Sequence, residues 1–279
     1  MNLPHDWSIE GRFDEKSLAS YGGGSLNGGL GWYKKTFKVA LENKDKITSI
    51  IFDGVYRNSQ VWINGHFLGK RPNGYIGFQY DLSPYLNYGT KNNEIIVKAD
   101  NSKQPNSRWY SGSGIFRNVW LETTNKLHVD QWGSYITTPK VTNESASVHL
   151  ETTLKNQYAA SKNAVITTTI FKNGAKVNLV TQNITIAANA KQIENQDIII
   201  QNPVLWSIEK PELYTAVTEV SVKRKIIDQY KTNFGIRNLK FDVDKRLILN
   251  RKKVKIKGVC MHHDLGPLGS AINIRAIER

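Results

Sequence analysis

Two stretches of the sequence bring chemically capable side chains together. In the first, Asn106-Ser107-Arg108-Trp109-Tyr110-Ser111-Gly112-Ser113-Gly114, hydrogen-bonding and planar side chains share a glycine-rich loop. Sugars offer hydroxyls, which Arg and Asn bind well, and apolar C–H faces, which Trp and Tyr cover, so the stretch could serve as a sugar subsite. A loop whose Trp and Tyr simply cap a sandwich core would have the same composition, and the residues alone leave both readings open. In the second, Cys260, His262 and Asp264 lie at alternate positions. On a continuing strand they would share one face while His263 turns away. Three ligands from one short strand make a poor zinc tetrahedron and no fourth is evident, so a structural His pair is the competing reading.

Glycines at 22, 23, 24, 28, 29 and 31 suggest a phosphate loop, but a dinucleotide fingerprint follows a strand and opens a helix. This cluster instead precedes a strand-like run, 32–37, and contains no G-x-x-x-x-G-K-[ST], which favours a tightly turning loop. The sequence has no G-x-S-x-G elbow of the serine-esterase kind.

The elements around these residues read as strands. Residues 60–63, Asn64-Gly65 and 66–68 form one hairpin signal; 167–172, Asn173-Gly174 and 175–177 form a second, because Asn-Gly suits the two positive-φ positions of a type I′ turn. Further short β-rich runs stand at 32–39, 47–52, 94–99, 118–122, 147–154, 184–187, 196–200 and 216–222. Many short strands separated by turns indicate β-sandwiches. Near the end, 246–249, a turn at Asn250-Arg251 and 253–256 predict a hairpin. Residues 258–262 predict a buried strand, and Ser270 is placed to cap a helix carrying Ile274 and Ile277.

The chain has 279 residues with 38 Lys and Arg against 24 Asp and Glu, a formal charge of +14. Its 7 Trp, 12 Tyr and 9 Phe supply enough burial to offset ordering entropy, which argues against disorder. No apolar run approaches the roughly 18 to 20 residues of a membrane helix. The opening residues lack the pattern of a secretory signal, consistent with a cytoplasmic protein or with a periplasmic or secreted one whose leader has been removed. One cysteine, Cys260, excludes an internal disulfide and any multi-cysteine zinc site. Residues 221–279 hold 15 Lys/Arg against 5 Asp/Glu. There Lys253, Lys255 and Lys257 alternate with Val254 and Ile256, as on a strand with one solvated face. No nucleic-acid-binding signature accompanies this charge, so neither nucleic acid nor membrane is expected as a partner.

An ordered set of motifs carries a family resemblance. Leu3-Pro4-His5-Asp6-Trp7, Gly31-Trp32-Tyr33-Lys34-Lys35-Thr36-Phe37, Phe52-Asp53-Gly54-Val55 with Val61-Trp62-Ile63-Asn64-Gly65, and Ser113-Gly114-Ile115-Phe116-Arg117-Asn118-Val119 resemble the first domain of family 2 glycoside hydrolases, especially their β-galactosidases. Asn202-Pro203-Val204-Leu205-Trp206-Ser207, Pro211-Glu212-Leu213-Tyr214 and Phe234-Gly235-Ile236-Arg237 resemble the immunoglobulin-like second domain. Lys257-Gly258-Val259-Cys260-Met261-His262-His263-Asp264 resembles the first strand of the catalytic (β/α)₈ barrel.

The resemblance implies a mainly β chain in three parts. These are a jelly-roll sugar-binding sandwich over 1–126, an immunoglobulin-like sandwich over 127–237, and the first hairpin, strand and helix start of an incomplete barrel over 238–279. It implies a retaining glycosidase acting on non-reducing β-galactosides or oligosaccharides. Both catalytic glutamates would lie on later barrel strands outside this chain, and self-association of the full enzyme is left open. It also implies substrate contacts by His262, by the loop residues Asn106, Arg108 and Trp109, by Asn27 and by Asp264. Some family members place an Asp in that loop where this sequence has Asn106, Ser107 and Arg108. No cofactor is called for. The alternatives are a β-glucuronidase or β-mannosidase of the same architecture, or a stand-alone carbohydrate-binding module. Because a strand, a loop and two helical turns make half of a βα unit, Arg279 is not expected to end a domain. Ile272, Ile274 and Ile277 are expected to be exposed or only fortuitously docked, and the chain after Arg237 to be its least stable part.

Overall fold

Asn64 and Gly65 (φ 48° and 83°), like Asn173 and Gly174 (φ 50° and 81°), adopt left-handed backbone at two successive positions. This is the turn geometry whose twist matches that of the strands it joins. The computed structural model describes residues 1–244 and 246–278. It divides into two units, Met1–Thr123 joined by residues from Val259 onward, and Thr124–Gly258.

The first unit is a jelly-roll sandwich of β1 (Leu30–Phe37), β2 (Ile47–Phe52), β3 (Ser59–Ile63), β4 (His66–Arg71), β5 (Phe78–Asp81), β6 (Asn93–Asp100) and β7 (Val119–Thr124). The strands form two sheets, ordered β1-β6-β3-β4 and β5-β2-β7. Alternation along β6 buries Asn93, Ile95, Val97 and Ala99. Of these, Ile95, Val97 and Ala99 meet Val61 and Ile63 of β3 and Ile50, Phe52 and Phe78 from the other sheet in one core. Each large apolar side chain buried in this way stabilises the fold by about 1.5–3 kcal/mol. Strands that carry this alternation are therefore held in register, since a one-residue slip would turn the core face outward.

The second unit is an immunoglobulin-like sandwich of β8 (Leu127–Val141), β9 (Ser145–Asn156), β10 (Lys162–Lys172), β11 (Ala175–Ile186), β12 (Lys191–Gln201), β13 (Tyr214–Val222) and β14 (Lys225–Phe234). Its sheets are ordered β11-β10-β13-β14 and β12-β9-β8. Two apolar clusters fill it, one around Leu150, Ile170, Ile200 and Ile236 and one around Leu127, Leu154, Ile166 and Ile186. Buried polar residues also occupy this interior. Thr168 donates to Gln196 Oε1 at 2.7 Å and lies 3.1 Å from the Thr218 hydroxyl, while the buried Thr152 hydroxyl has no partner. The strands β15 (Leu239–Asp242), β16 (Arg246–Leu249) and β17 (Lys252–Lys253) complete the unit as a small separate sheet.

The expected strand at 258–262 does not form. Among the described residues none follows β17, and Ile256, Val259 and Met261 are 71%, 88% and 79% exposed. An apolar run becomes a strand only when a neighbour accepts its backbone hydrogen bonds, and these residues have no such neighbour. The alternating Lys253, Lys255 and Lys257 are likewise not a strand face beyond Lys253. The predicted cap also moves. The short helix α1 (Ile274–Ile277) is capped by Asn273, whose Oδ1 accepts from Ala276 N at 3.2 Å, and Ser270 is fully buried elsewhere. Ile274 and Ile277 are exposed as expected, whereas Ile272 is half-buried and its N–H donates to the Phe116 carbonyl at 2.9 Å.

Candidate substrate-binding loops

The loops of interest leave and re-enter the first sandwich at its strand ends. Just past the end of β6, Asn101 is buried. Its backbone exchanges hydrogen bonds with Gly29 in the glycine-rich loop (2.8 and 3.2 Å). Its amide donates to the Gly112 carbonyl at 3.0 Å and the Ser113 hydroxyl at 2.8 Å, and its Oδ1 accepts from Asn106 at 2.6 Å. Asn106 is fully engaged in turn. It donates to the Lys103 carbonyl at 3.2 Å and accepts from Tyr56 Oη at 3.1 Å and Ser111 Oγ at 3.4 Å. Asn106 therefore positions the loop and has little hydrogen-bonding capacity left for a sugar.

Beneath this loop lies Asp6, which is 2% exposed. Its Oδ1 accepts from Ser8 N at 3.0 Å and Ser113 N at 2.8 Å. Its Oδ2 accepts from Tyr110 Oη at 2.6 Å and from Ser270 N and Oγ at 2.9 and 3.1 Å. A buried carboxylate is tolerated when its lone pairs are filled in this way. Burial first, and then the bond to Asp6, push the Tyr110 hydroxyl well above the usual phenol range. Gly112 (φ 64°) is required where the loop crosses this cluster: a Cβ there would stand 1.8 Å from Ser270 Oγ and 2.5 Å from Asp6 Oδ2.

The groups left facing solvent are those with the chemistry of a subsite. Ser107 Oγ donates to the Trp109 carbonyl at 2.6 Å, and Trp109 is 40% exposed. Its ring meets the exposed His262 edge-on, with centroids 5.5 Å apart and planes at 73°. Arg108, Asp264 and Asn27 are exposed. Asn27 sits in the glycine-rich loop, where its carbonyl accepts from Ser8 Oγ at 3.1 Å. The structure thus brings Trp109 and His262 together, sets Arg108 on the same loop, and places Asp264 close enough to raise Tyr110 by its charge.

His263 turns the other way, as alternation implied, although the segment is not a strand. It is half-buried between Tyr75 (centroids 5.9 Å) and Phe116 (5.5 Å), with Nε2 buried and unpartnered. Burial holds its imidazole below the ordinary range. Sequence reasoning missed Asp6, Asn101 and Ser270, whose roles depend on contacts distant in the chain. An open groove of about 670 Å³ in the first unit, lined by Tyr33, Phe37, Phe52, Val119 and Trp120 among others, touches none of the six expected site residues.

Comparison with known proteins places these loops in a family. Residues 25–125 match "Glycosyl hydrolases family 2, sugar binding domain" and residues 127–237 match "Glycosyl hydrolases family 2". The chain belongs to glycoside hydrolase family 2. This family 2 chain is 47% identical over 280 residues to "Beta-galactosidase BoGH2A" of Bacteroides ovatus, an alignment covering 100% of the chain and 33% of that protein. It is 39% identical over 271 residues to a "Putative beta-glucuronidase" of Formosa agariphila, covering 97% of the chain and 25% of that protein. A crystal structure of a glycosyl hydrolase family 2 member from Bacteroides cellulosilyticus superposes with a TM-score of 0.96 at 36% identity, covering 100% of this chain and 36% of that one. The chain spans about a quarter to a third of the length of these two curated relatives.

Proposed function

We propose that this family 2 chain supplies scaffold and substrate-subsite loops to a retaining glycosidase acting on non-reducing β-galactosides. The carrying observation is the 47% identity over the full chain to a protein named beta-galactosidase; the exposed Trp109–His262 pair supports that reading by offering an apolar ring face beside a polar edge. Stacking on Trp109 would orient a sugar ring, while His262, Arg108 and Asp264 would meet its hydroxyls. Asn27 is assigned to the same subsite from the neighbouring loop. Asn106 acts behind them as a positioning residue.

Retaining hydrolysis uses one carboxyl to protonate the leaving oxygen and a second, about 5–5.5 Å away, as nucleophile. Asp6 cannot fill either role while its oxygens accept from five donors. Because the chain spans only 33% of the β-galactosidase it resembles, the two glutamates are assigned to a part of the enzyme outside these residues. The segment from Val259 onward is read as leading into the catalytic barrel.

A second reading, a β-glucuronidase, is favoured by one observation. Arg108 is exposed on the site loop, and a guanidinium matches a uronate carboxylate in bidentate geometry. The test is turnover of nitrophenyl β-galactoside and nitrophenyl β-glucuronide by residues 1–279 and by a longer protein that contains them. The short chain is expected to be inert and the longer one to cleave the galactoside. Sustained turnover by the short chain, or preference of the longer one for the glucuronide, would reject the first reading.

A further inference from the structure

The outer face of the sheet β1-β6-β3-β4 carries a row of exposed rings on its strands, away from the loops described above. Trp32, 60% exposed, stacks on Trp62 with centroids 5.8 Å apart and planes at 29°. Trp62 meets Phe67, 52% exposed, at 5.3 Å and 48°. Ladder register produces this row. Trp32 stands opposite Lys98 and Lys98 opposite Gln60; one step along, Ile96 stands opposite Trp62, which faces Phe67 across the next strand. The intervening residues Val61, Ile95 and Val97 point into the core, so these side chains necessarily point out. Contiguous exposed aromatics on one rigid face mark a surface that meets something.

The charges among the rings indicate what that partner is. Lys34 pairs with Glu94 at 2.6 Å, and the Lys98 ammonium sits 5.7 Å from the Trp32 ring centroid. Lys98 and Lys70 both act on the Asp100 carboxylate, adding to its Ser102 hydrogen bond in holding it below the ordinary range. Three lysines, Lys34, Lys70 and Lys98, thus stand against two carboxylates, Glu94 and Asp100, with one close ion pair among them, and the face carries little net charge. The centre of a protein–protein interface is depleted of charged residues, whereas here charged and amide groups stand between the rings. An apolar ring face bordered by hydrogen-bonding groups matches a pyranose, which has C–H bonds on its faces and hydroxyls around its rim. The face also belongs to residues 25–125, the portion matched to the family 2 sugar binding domain.

We propose that this sheet face is a platform for a neutral glycan chain, with Trp32, Trp62 and Phe67 stacking on sugar rings and Gln60, Lys70, Lys98 and Glu94 bonding their hydroxyls. It is a second carbohydrate contact, independent of whether the loops serve a galactosidase or a glucuronidase. Electrophoresis of residues 1–279 through native gels containing β-1,4-galactan, xyloglucan or polygalacturonate tests it. Retardation by at least one of the two neutral glycans, persisting at high salt, is expected. Trp32→Ala and Phe67→Ala, both at exposed positions, should each weaken it by about tenfold, the loss of one apolar ring contact, at unchanged unfolding midpoints. Two variants on separate strands keep the test valid if one of them misfolds. The proposal is overturned by mobility unchanged in both neutral gels, by retardation that neither variant alters, by retardation in polygalacturonate alone, or by loss of retardation in Trp109→Ala but not in Trp32→Ala. Sedimentation showing that Trp32→Ala dissolves a dimer without altering glycan mobility would also overturn it, because the face would then cover a second copy.

Discussion

Asp6 shows how much one side chain can organise when its acceptor capacity is filled. Removing the charge while keeping the shape, as in Asp6→Asn, would set an amide N–H₂ against groups that are themselves donors. Each of these hydrogen bonds to a buried carboxylate that is lost is expected to cost about 1.5–3 kcal/mol, read as a lowered urea midpoint of the first unit. Ser270→Ala, which removes one hydroxyl donor of five hydrogen bonds, should cost only one such loss, about 1.5–3 kcal/mol. Equal effects from the two substitutions would contradict the picture of Asp6 as the centre. The loop above it separates two roles that sequence composition merges. Arg108 is exposed, so on the proposed subsite role Arg108→Ala should lower kcat/KM of the proposed longer glycosidase while stability stays within about 0.5 kcal/mol. Asn106→Ala should lose stability and activity together, because Asn101, Tyr56 and Ser111 lose their partner. Composition could nominate both residues, but only the hydrogen-bond partners distinguish the one that supports from the one that presents.

Within the immunoglobulin-like unit the strands carry polar groups where an all-apolar core would serve, and the two threonines there should respond oppositely. Thr168→Val leaves the buried Gln196 oxygen without its donor and is expected to destabilise by about 1–3 kcal/mol. Thr152→Val replaces a buried, unpartnered hydroxyl by a methyl of similar size and should be neutral or stabilising by about 1 kcal/mol. Thermal unfolding of the two variants decides, and a loss at Thr152 as large as that at Thr168 would refute the account.

At the start of β8, burial holds His128 below its ordinary value of 6.5. Its folded form resists the proton that the unfolded chain takes up, so its contribution leaves stability unaffected above pH 6.5 and lowers it as the pH falls below that value. His128→Gln should therefore flatten the decline of the unfolding midpoint on acidification from pH 7 to pH 5. The strands themselves were largely legible. Alternation and Asn-Gly turns are local signals, which is why the hairpins at Asn64-Gly65 and Asn173-Gly174 could be read directly. The turn at Lys223-Arg224 (φ 50° and 66°) joins β13 to β14 with residues that do not advertise a left-handed pair, and β14 went unread. β8 was hidden for a similar reason: its register shifts between Val129 and Ser134, around Trp132 at φ 53°, which interrupts the alternation.

For the molecule as a whole, stability after Arg237 should be uneven and not uniformly low as sequence reasoning suggested. Amides of 255–264, which lie outside any strand ladder, are expected to exchange fastest. The N–H groups of Ser270 and Ile272, bonded to Asp6 and Phe116, should be protected with the first sandwich. Rapid exchange at Ser270 would mean that the returning segment is only loosely placed. Sequence inspection had no access to this because Asp6 and Ser270 are 264 positions apart, and no periodicity or local motif spans such a separation.

That separation also sets an order of events in the cell. A chain emerging from the ribosome completes the strands of the first sandwich long before residue 270 is made. At roughly 5–20 residues per second, synthesis from Thr123 to Ser270 takes on the order of ten to thirty seconds. Through that interval Asp6 Oδ2 has Tyr110 but not Ser270, and the loop bearing Trp109 lacks His262 against it. The loop bearing Trp109 is therefore completed only by a late return of the chain, when Ser270 brings Asp6 its last two donors.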